Sequence, residues 1–425
     1  MSELLGEHTF WMAVVFFIGY TLIVLEQYTH MNKAAVAILA AILCWVLQFH
    51  ASGLSYQENV ELLNHHIADA SQIIFFLLGA LAVVETIAVH NGFKVLTDFI
   101  DIRSKKTFFW ICGILTFFLS AVLDNLTTTI VMVTFVRRFI TDREERLLTG
   151  GMVVIAANAG GAWTPIGDVT TTMLWIGGQV SAVPLMYTLL VPSLACFAVS
   201  TWYISRQFHG NFDPPAENEG GGSAEVAPLG RTIFYLGLAS LVFVPIFRYF
   251  TGLPPFMGIL LGLSTMWLVT DLGHRKTSRE DLSMLNTLSG IDFSVIFFFL
   301  GILLCVSALD AAGLLTKLAQ GFDAIFPSLD VIAIVIGVVS AIVDNVPLVA
   351  ASMGMYDFSR VPADASFWHL VAYCAGTGGS LLIIGSAAGV AFMSLEKVHF
   401  MWFLRKISFA ALLGYVAGIG VFMLF

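Results

Sequence analysis

The chain is 425 residues long, 58% of them hydrophobic and 12% charged, and its mean hydropathy is +0.87. A soluble domain is about 45–50% apolar and about 25% charged, so this composition excludes an ordinary soluble protein and indicates a polytopic, all-α membrane protein embedded in a lipid bilayer. The net charge of −9 carries little information, because the charges fall between the apolar runs.

Ten apolar segments are long enough to cross a bilayer as helices, which requires roughly 17–25 residues. In chain order they lie at residues 10–26, 34–49, 71–90, 149–178, 185–205, 232–249, 256–272, 291–309, 368–394 and 407–425. The residues before the third segment include His65 and His66, and we expect them to form a connector outside the membrane. These histidines could sense pH or simply lie on a solvated helix face.

Two further apolar stretches, residues 107–140 and 331–356, carry an Asp-Asn pair in their middle. The first contains SAVLDNLTTTIVMV from Ser120 and the second SAIVDNVPLVAASM from Ser340. Each stretch is too long for one helix and too short for two full spans. The pattern predicts two re-entrant helical hairpins whose tips lie at membrane depth, where protein or water must surround the non-helical backbone.

Positive charge fits this topology. If the N-terminus is outside and each hairpin returns to the side from which it entered, the C-terminus is also outside. Of the 20 Lys and Arg residues, only Arg248, Lys317 and Arg360 then fall on the outer side. This distribution satisfies the positive-inside rule, whereas one full span over 107–140 would spoil it.

The two halves of the chain repeat each other. The Asp-Asn pairs lie 220 residues apart, and FFLLGALAVVE from Phe75 matches FFFLGILLCVS from Phe297 at a spacing of 222. Residues 1–205 and 232–425 each contain five spans and one hairpin, joined by a polar, flexible, cytoplasmic linker at 206–231. Because five is odd, the halves are expected to be inverted repeats, the plan of many secondary transporters.

Each half also has a broken span after its hairpin. The first break reads NAGGAWTPIGDVTTTML from Asn158, within 149–178, and the second reads GTGGSLLIIGSAAG from Gly376, within 368–394. Glycine and proline interrupt helices here, and the half-helix ends offer free carbonyl and amide groups. We expect both hairpin tips and both breaks to converge near the midplane.

Acidic residues dominate the polar content of these segments. Glu85, Asp124, Asp168 and Asp344 lie inside the predicted spans and hairpins, and no Lys or Arg lies deep in any of them. An aspartate at the bilayer centre costs about 2.5–3.5 kcal/mol. A structural hydrogen bond to a helix end could explain one such acid, Glu85 above all, but it poorly explains the duplicated Asp-Asn tips. Clustered carboxylates with Asn, Ser and Thr oxygens suit a small hard cation such as sodium.

The repeats differ at the acids. Asp168 corresponds to Ser386, and Asn158 corresponds to Gly376. Glu85 likewise corresponds to a serine in the second half. We therefore expect the main cation site to lean toward the first half, with the Asp-Asn pair of the second half completing or balancing it.

These motifs resemble the NhaD-type sodium/proton antiporters, in the superfamily that includes arsenite permeases and sodium-coupled dicarboxylate carriers. The dicarboxylate carriers have Ser-Asn-Thr at the hairpin tips, whereas this chain has Asp-Asn-Leu-Thr and Asp-Asn-Val-Pro. The resemblance implies exchange of sodium or lithium for protons across a bacterial inner membrane, with an elevator-like motion in a homodimer. The expected cation- and proton-binding residues are Ser120, Asp124, Asn125, Thr127, Asn158, Asp168, Thr170, Thr171, Ser340, Asp344, Asn345, Ser380, Ser386 and Glu85. Sodium itself is expected at Asp124, Asn125, Asn158 and Asp168.

Three other functions remain open at this point. They are an anion carrier of the same fold, a passive channel, and an intramembrane aspartyl protease using the IGD motif at Ile166–Asp168. We expect no enzyme activity, no resident cofactor and no nucleic-acid partner, only transported sodium or lithium and protons. The five cysteines stand alone in apolar runs and are expected to be packing residues. His209, His274 and His399 are expected to be ordinary loop residues.

Overall fold

The computed structural model describes residues 7–97, 104–211, 229–274 and 282–424. Within these ranges the structure consists of α-helices with an isolated bridge between Ser104 and Asn211. The helices of the first half are α1 (Glu7–Val24), α2 (Glu26–Thr29), α3 (Lys33–Ala51), α4 (Tyr56–Val89), α5 (Lys94–Thr97), α6 (Lys105–Ser120), α7 (Asn125–Phe139), α8 (Arg143–Gly161), α9 (Val169–Ile176) and α10 (Ala182–Ser205).

The second half is helical in the same manner. Its helices are α11 (Gly230–Thr251), α12 (Pro255–His274), α13 (Met284–Ser289), α14 (Phe293–Ala311), α15 (Leu314–Ile325), α16 (Leu329–Val339), α17 (Asn345–Met355), α18 (Ser366–Gly378), α19 (Ala387–Glu396), α20 (Phe400–Lys406) and α21 (Ser408–Phe422). Most of the predicted linker, residues 212–228, lies outside the described residues, as do Arg103, Arg275, Lys276 and Arg279.

The expectation of a polytopic membrane protein is confirmed at the level of helix length and composition. Within the described ranges, α3, α4, α10, α11, α12 and α14 are long and apolar enough to cross a membrane. The number rises from six to eight if two bent helix pairs, α15 with α16 and α20 with α21, each count as one span. These six helices coincide with six of the ten predicted segments.

Helix α4 differs from its predicted boundaries. The sequence placed a connector before residue 71, but one continuous helix runs from Tyr56 to Val89. It begins at a capping box, in which Ser55 accepts the Glu58 N–H and Glu58 accepts the Ser55 N–H. This arrangement satisfies the first free amide groups of a helix. Since no glycine or proline follows until the middle of the apolar run, the helix continues through His65 and His66 without a break.

The predicted breaks coincide with helix ends. Two helices flank each Asp-Asn pair, α6 and α7 in the first half and α16 and α17 in the second. The spans predicted over 149–178 and 368–394 are likewise interrupted, between α8 and α9 and between α18 and α19. Helix α6 packs on α8 as α16 packs on α18, and α7 packs on α19 as α17 packs on α9.

Polar contacts join the two halves at both ends of these helices. On the side predicted to be cytoplasmic, buried Glu396 accepts hydrogen bonds from Arg137 Nε at 2.6 Å and Arg146 Nε at 3.1 Å. At the opposite end, Asp364 Oδ1 accepts the Ser181 N–H at 2.6 Å. The two halves are therefore joined at both ends, by α7 and α8 with α19 on one side and by the start of α10 with the residues before α18 on the other.

The expectation for His274 is wrong. This residue ends α12 and is buried, and its Nε2 lies 3.1 Å from Nε2 of His90, which follows α4. The two histidines belong to segments far apart in sequence, and only the packing of α4 on α12 brings them together. His209 and His399 are exposed, in agreement with their expected positions.

Candidate cation site

Four polar side chains begin the helices that follow the predicted breaks. Asp124 precedes α7, Asp168 precedes α9, Asp344 precedes α17 and Ser386 precedes α19. In each case a side-chain oxygen accepts a backbone N–H from the first turn, at 2.8, 2.9, 3.1 and 3.3 Å respectively. Asp and Ser are preferred at this position because they satisfy amide groups that have no partner within the helix.

Asp168 is held by hydrogen bonds on both carboxylate oxygens. Oδ1 accepts the backbone N–H of Thr170 at 2.9 Å and its hydroxyl at 2.8 Å. Oδ2 accepts Nδ2 of Asn125 at 2.6 Å, and the same amide donates to Oδ1 of Asn158 at 3.0 Å. The buried carboxylate of the first break and the amide of the first tip therefore form one network.

Asn158 extends this network into the second half. It is fully buried, and its Nδ2 donates to Ser380 Oγ at 2.8 Å and to Ser386 Oγ at 2.9 Å. A side chain of α8 thus connects the first Asp-Asn tip with both serine hydroxyls of the second break. The first tip and both breaks therefore meet at this amide.

Two serines attach the tips to the neighbouring helices. Ser120 Oγ donates to the Ala157 carbonyl at 2.6 Å, and Ser340 Oγ donates to the Ala375 carbonyl at 2.8 Å. Both serines are buried, and neither lines the cavity described below. Their hydroxyls fix the position of the tips, so their contribution to the site is to orient it.

Two glycines allow the breaks to approach the tips closely. A Cβ on Gly167 would lie 2.7 Å from the Ser120 carbonyl oxygen, and a Cβ on Gly385 would lie 2.7 Å from that of Ser340. Real Cβ atoms do not tolerate this separation from backbone. The glycine before each N-cap residue is therefore required by the contact between tip and break.

Asp124 has an unusual backbone conformation. Its φ of 126° and ψ of 159° lie in a region that is essentially restricted to glycine. Its Oδ2 also accepts the Thr127 hydroxyl at 2.7 Å. The equivalent Asp344, with φ −46°, is relaxed. A strained residue of this kind costs about 1–3 kcal/mol and occurs most often at functional sites.

Asn345 occupies the position that Asn125 has in the first half, but it lacks the partners. It is buried, and within the described residues its Nδ2 has no hydrogen-bond partner. The positions that match the two partners of Asn125 hold Gly376, which has no side chain, and Ser386, whose hydroxyl is bonded elsewhere. Within the described residues, the Asn345 amide nitrogen of the second tip is therefore unpaired, whereas the Asn125 amide nitrogen of the first tip donates two hydrogen bonds.

The two Asp-Asn pairs and Asp168 line one cavity of about 330 Å³. Its walls include Asp124, Asn125, Asp168, Asp344 and Asn345, together with apolar side chains of α4, α14 and α19. Both tips and the first break therefore face a common space that is large enough for a hydrated ion.

The cavity extends to the beginning of α3 and α14. Glu26, Lys33, Asp292 and Ser294 line this end, and Ser294 and Asn32 are hydrogen-bonded across the two helices. Lys33 is directed over the Phe298 ring, 4.5 Å from its centre. The topology predicted from positive charge places this mouth on the cytoplasmic side.

The remaining predicted residues have different positions. Thr171 donates its hydroxyl to the Asp168 carbonyl at 2.9 Å, and with Thr170 it stabilises the start of α9. Glu85 lies beside Gly290 and does not line the cavity, so the structure does not bring it to the cluster. Thr172, which the sequence reasoning missed, does line the cavity. Its spacing of four residues from Asp168 places both on one helix face, a signal that was available.

The electrostatics of the cavity favour a cation or a proton. Among the described residues that line it, Lys33 is the one basic side chain and lies at the mouth, whereas three aspartates lie at the far end. Like charges in a poorly solvated space disfavour each other's ionised form. A bound proton or a small cation offsets this repulsion, and the carboxylate, amide and hydroxyl oxygens are suitable ligands for a hard cation.

Comparison with known proteins is consistent with this chemistry. A family model described as citrate transporter matches residues 20–370. Sodium/proton antiporter 2 of Arabidopsis thaliana is 49% identical over 97% of this chain and 98% of its own length. The Na⁺/H⁺ antiporter NhaD of Vibrio cholerae is 30% identical over 97% of this chain and 90% of its own. The chain belongs to the citrate transporter family, among its NhaD-type antiporters.

The resemblance drawn from the Asp-Asn tips and the first break is thereby confirmed. A further relative, sodium/proton antiporter 1 of Arabidopsis thaliana, is 51% identical over 97% of this chain and 72% of its own length. The family consists of transporters, and relatives from a plant and from a bacterium both match across nearly the whole chain. The match therefore includes both predicted tips and both predicted breaks.

Proposed function

We propose that this protein exchanges sodium or lithium for protons across a membrane. The observation that carries the proposal is the buried Asp168, whose carboxylate shares one cavity with Asp124 and Asp344 and has no basic partner among the described residues. Its relatives named as sodium/proton antiporters support the same cargo. The cavity then holds either a proton or a sodium ion, because the bare charges are costly.

Competition for the same carboxylates produces the exchange. A sodium ion that enters from one side displaces the proton, and a proton that enters from the other side displaces the sodium ion. Transport requires that the loaded forms change their facing and that the empty form does not. The strained Asp124 and the hydrogen-bonded Asp168 are the residues we assign to direct binding, with Asn125 and Asn158 orienting them.

An anion carrier of the same fold is the alternative that the family description raises. The arrangement of charges opposes it, because an anion in the cavity would face three aspartates, and Lys33 lies at the mouth instead. Proton movement that depends on the anion and ignores sodium would support this alternative.

The experiment that tests the proposal measures proton movement in proteoliposomes after addition of sodium, with Asp168→Asn as the key variant. This change keeps the shape and removes the charge, and we expect loss of sodium-dependent proton movement with normal insertion. The matched control is Asp142→Asn, because Asp142 also begins a helix, accepting the Glu145 N–H at 2.8 Å, but is exposed outside the cavity. Exchange at ordinary sodium affinity in Asp168→Asn would exclude Asp168 from the site.

The architecture that serves this function remains part of the proposal. We propose two inverted repeats, each with a re-entrant hairpin, in which α6–α9 and α16–α19 move together as an elevator. The matching contacts of α7 with α19 and of α17 with α9 support the repeat. The ties at Glu396 and Asp364 support a single moving body, since they join the two halves at both ends.

Two further expectations from the sequence stay predictions. One is a homodimer, and the other is location in a bacterial inner membrane with both termini outside. The relatives include plant as well as bacterial proteins, and the two from Arabidopsis thaliana share more identity with this chain than NhaD of Vibrio cholerae does.

A further inference from the structure

Arg248 connects α11 with the half-helix that carries the cation site. It is half-buried near the end of α11, and its Nη1 donates to the Trp175 carbonyl at 2.9 Å. Its guanidinium also lies 4.9 Å from the centre of the Trp175 ring, a cation–π contact. Within the described ranges no carboxylate forms an ion pair with it. Because both of these contacts are with Trp175, the position of Arg248 is coupled to the position of the helix that carries Trp175.

The helix in question is short and carries a functional group at each end. Helix α9 has eight residues and begins after Asp168, whereas Trp175 is its last residue but one. At about 1.5 Å per residue, roughly 12 Å separates its two ends. A carboxylate at the start and a cation at the end both interact favourably with the helix dipole. A displacement of α9 along its axis therefore changes the Asp168 site and the Arg248 contact together.

The sequence repeat shows that this contact has no equivalent in the other half. Glu26 lies 222 residues before Arg248, and the same spacing relates Thr29 to Thr251 and Trp45 to Trp267. A glutamate cannot donate a hydrogen bond to a helix carbonyl. When the site faces the other side of the membrane, Glu26 therefore cannot replace Arg248 in an equivalent contact made by the other half.

Glu26 also has a different environment from Arg248. It lines the cytoplasmic end of the cavity and accepts the Lys33 N–H at 3.2 Å. Arg248 lies on the side predicted to be external, where α9 packs on α4 and α17. One member of the pair thus lines the cavity that holds the aspartates, and the other contacts the far end of α9.

We propose that Arg248 is a positioning residue that holds α9 against α11 and so stabilises the facing in which the site opens to the cytoplasm. The inference rests on the proposed alternating-access transport, and it concerns the balance between the two facings. The Trp175 carbonyl also accepts the Gly178 N–H at 3.3 Å, so α9 keeps a partner for this carbonyl when Arg248 is absent. Loss of the arginine consequently shifts the equilibrium and leaves the helix folded.

The test places a cysteine at Ala391, which lines the cavity, and measures its labelling by an impermeant maleimide from the cytoplasmic side. The five native cysteines are buried. In Arg248→Gln, with labelling also measured from the opposite side, we expect the ratio of the cytoplasmic rate to the opposite-side rate to fall about tenfold, since a hydrogen bond from a charged donor corresponds to at least about tenfold in an equilibrium. The half-saturating sodium concentration on that side rises as the competent facing is depopulated.

Two controls isolate the contact. Lys317→Gln removes another predicted external positive charge from an exposed position, and we expect no change in labelling. Arg248→Lys keeps the charge and a donor but loses the planar face that lies on the ring, so an intermediate ratio is expected. It also serves as the measurement if Arg248→Gln does not insert. An unchanged ratio of labelling rates in both Arg248 variants would overturn the inference.

Labelling reports the facing whatever the cargo is, so this result is independent of the proposed function. If wild-type protein shows no sodium-dependent proton movement but Arg248→Gln alters labelling, the cargo assignment fails and the positioning role stands. If exchange is normal and labelling does not respond, the positioning role fails alone. A merely structural role would lower the amount of folded protein without altering the labelling rate per folded molecule.

Discussion

The two tip asparagines provide a matched pair for testing the network. Asn125 and Asn345 are both buried, both begin a helix after an aspartate, and both are changed here to alanine. Any gain in helix propensity is therefore similar in the two variants. We expect Asn125→Ala to destabilise the protein strongly and to weaken sodium binding, and Asn345→Ala to have a small effect on stability.

The magnitude follows from the hydrogen bonds of each amide. Asn125 Nδ2 donates to Asn158 at 3.0 Å and to the Asp168 carboxylate at 2.6 Å. A neutral hydrogen bond contributes about 0.5–1.5 kcal/mol and one to a charged group about 1.5–3 kcal/mol. The loss for Asn125→Ala is therefore about 2–4 kcal/mol. Asn345 Nδ2 has no partner within the described residues, so its removal costs less than about 1 kcal/mol from this source.

The assay is thermal unfolding of the purified protein in detergent, followed by tryptophan fluorescence, together with the sodium dependence of exchange. We expect a lower unfolding temperature for Asn125→Ala than for Asn345→Ala at equal protein concentration. The half-saturating sodium concentration should rise in Asn125→Ala, because Asp168 loses the donor that orients its Oδ2. Equal unfolding temperatures for the two variants would refute the asymmetry between the tips.

The remaining predictions concern the acids and the topology. Asp124→Asn should abolish exchange at every pH tested, because the strained residue supplies a carboxylate that both the ion and the proton need. Asp344→Asn should leave a weak activity with altered cation affinity. Full exchange in Asp124→Asn would refute the assignment of the main site to the first half. Cysteines at Lys105, where α6 begins, and at Thr141, just after α7 ends, should both be labelled by an impermeant maleimide only from the cytoplasm. Labelling from opposite sides would contradict the re-entrant hairpin.

Local sequence signals were sufficient to predict which acidic residues begin helices at the candidate site. Asp124, Asp168 and Asp344 interrupt apolar runs, and each lies where a helix begins because a short polar side chain there satisfies free amide groups. The comparison of the two halves also predicted that more of the buried carboxylates and amides would lie in the first half, where Asn125, Asn158 and Asp168 are hydrogen-bonded. Asn158 connects to Ser380, as expected for two breaks that converge. These features depend on residues close in sequence or on the repeat, and both are visible without a structure.

Contacts between distant segments were not visible. The pairing of His90 with His274 and the contact of Arg248 with Trp175 depend on how helices pack, and neither periodicity nor charge indicates them. Glu85 resembled the other intramembrane acids in sequence, but its position along α4 places it beside Gly290 instead of in the cavity. The sequence predicts the start of α4 too late, because its first turns are polar like a connector although no glycine or proline in them breaks a helix.

The N-cap geometry raises a simpler explanation for the acids, namely that they are present only to begin helices. Capping alone does not account for them, because Ser386 caps α19 with a hydroxyl, and serine is about as good an N-cap as aspartate. An aspartate in a bilayer interior costs about 2.5–3.5 kcal/mol more than an apolar residue. Three such residues facing one cavity repel one another, and Asp124 has a backbone conformation that suits glycine. Stability alone therefore does not explain these carboxylates, whereas the proposed exchange of a proton for a sodium ion at one site requires them.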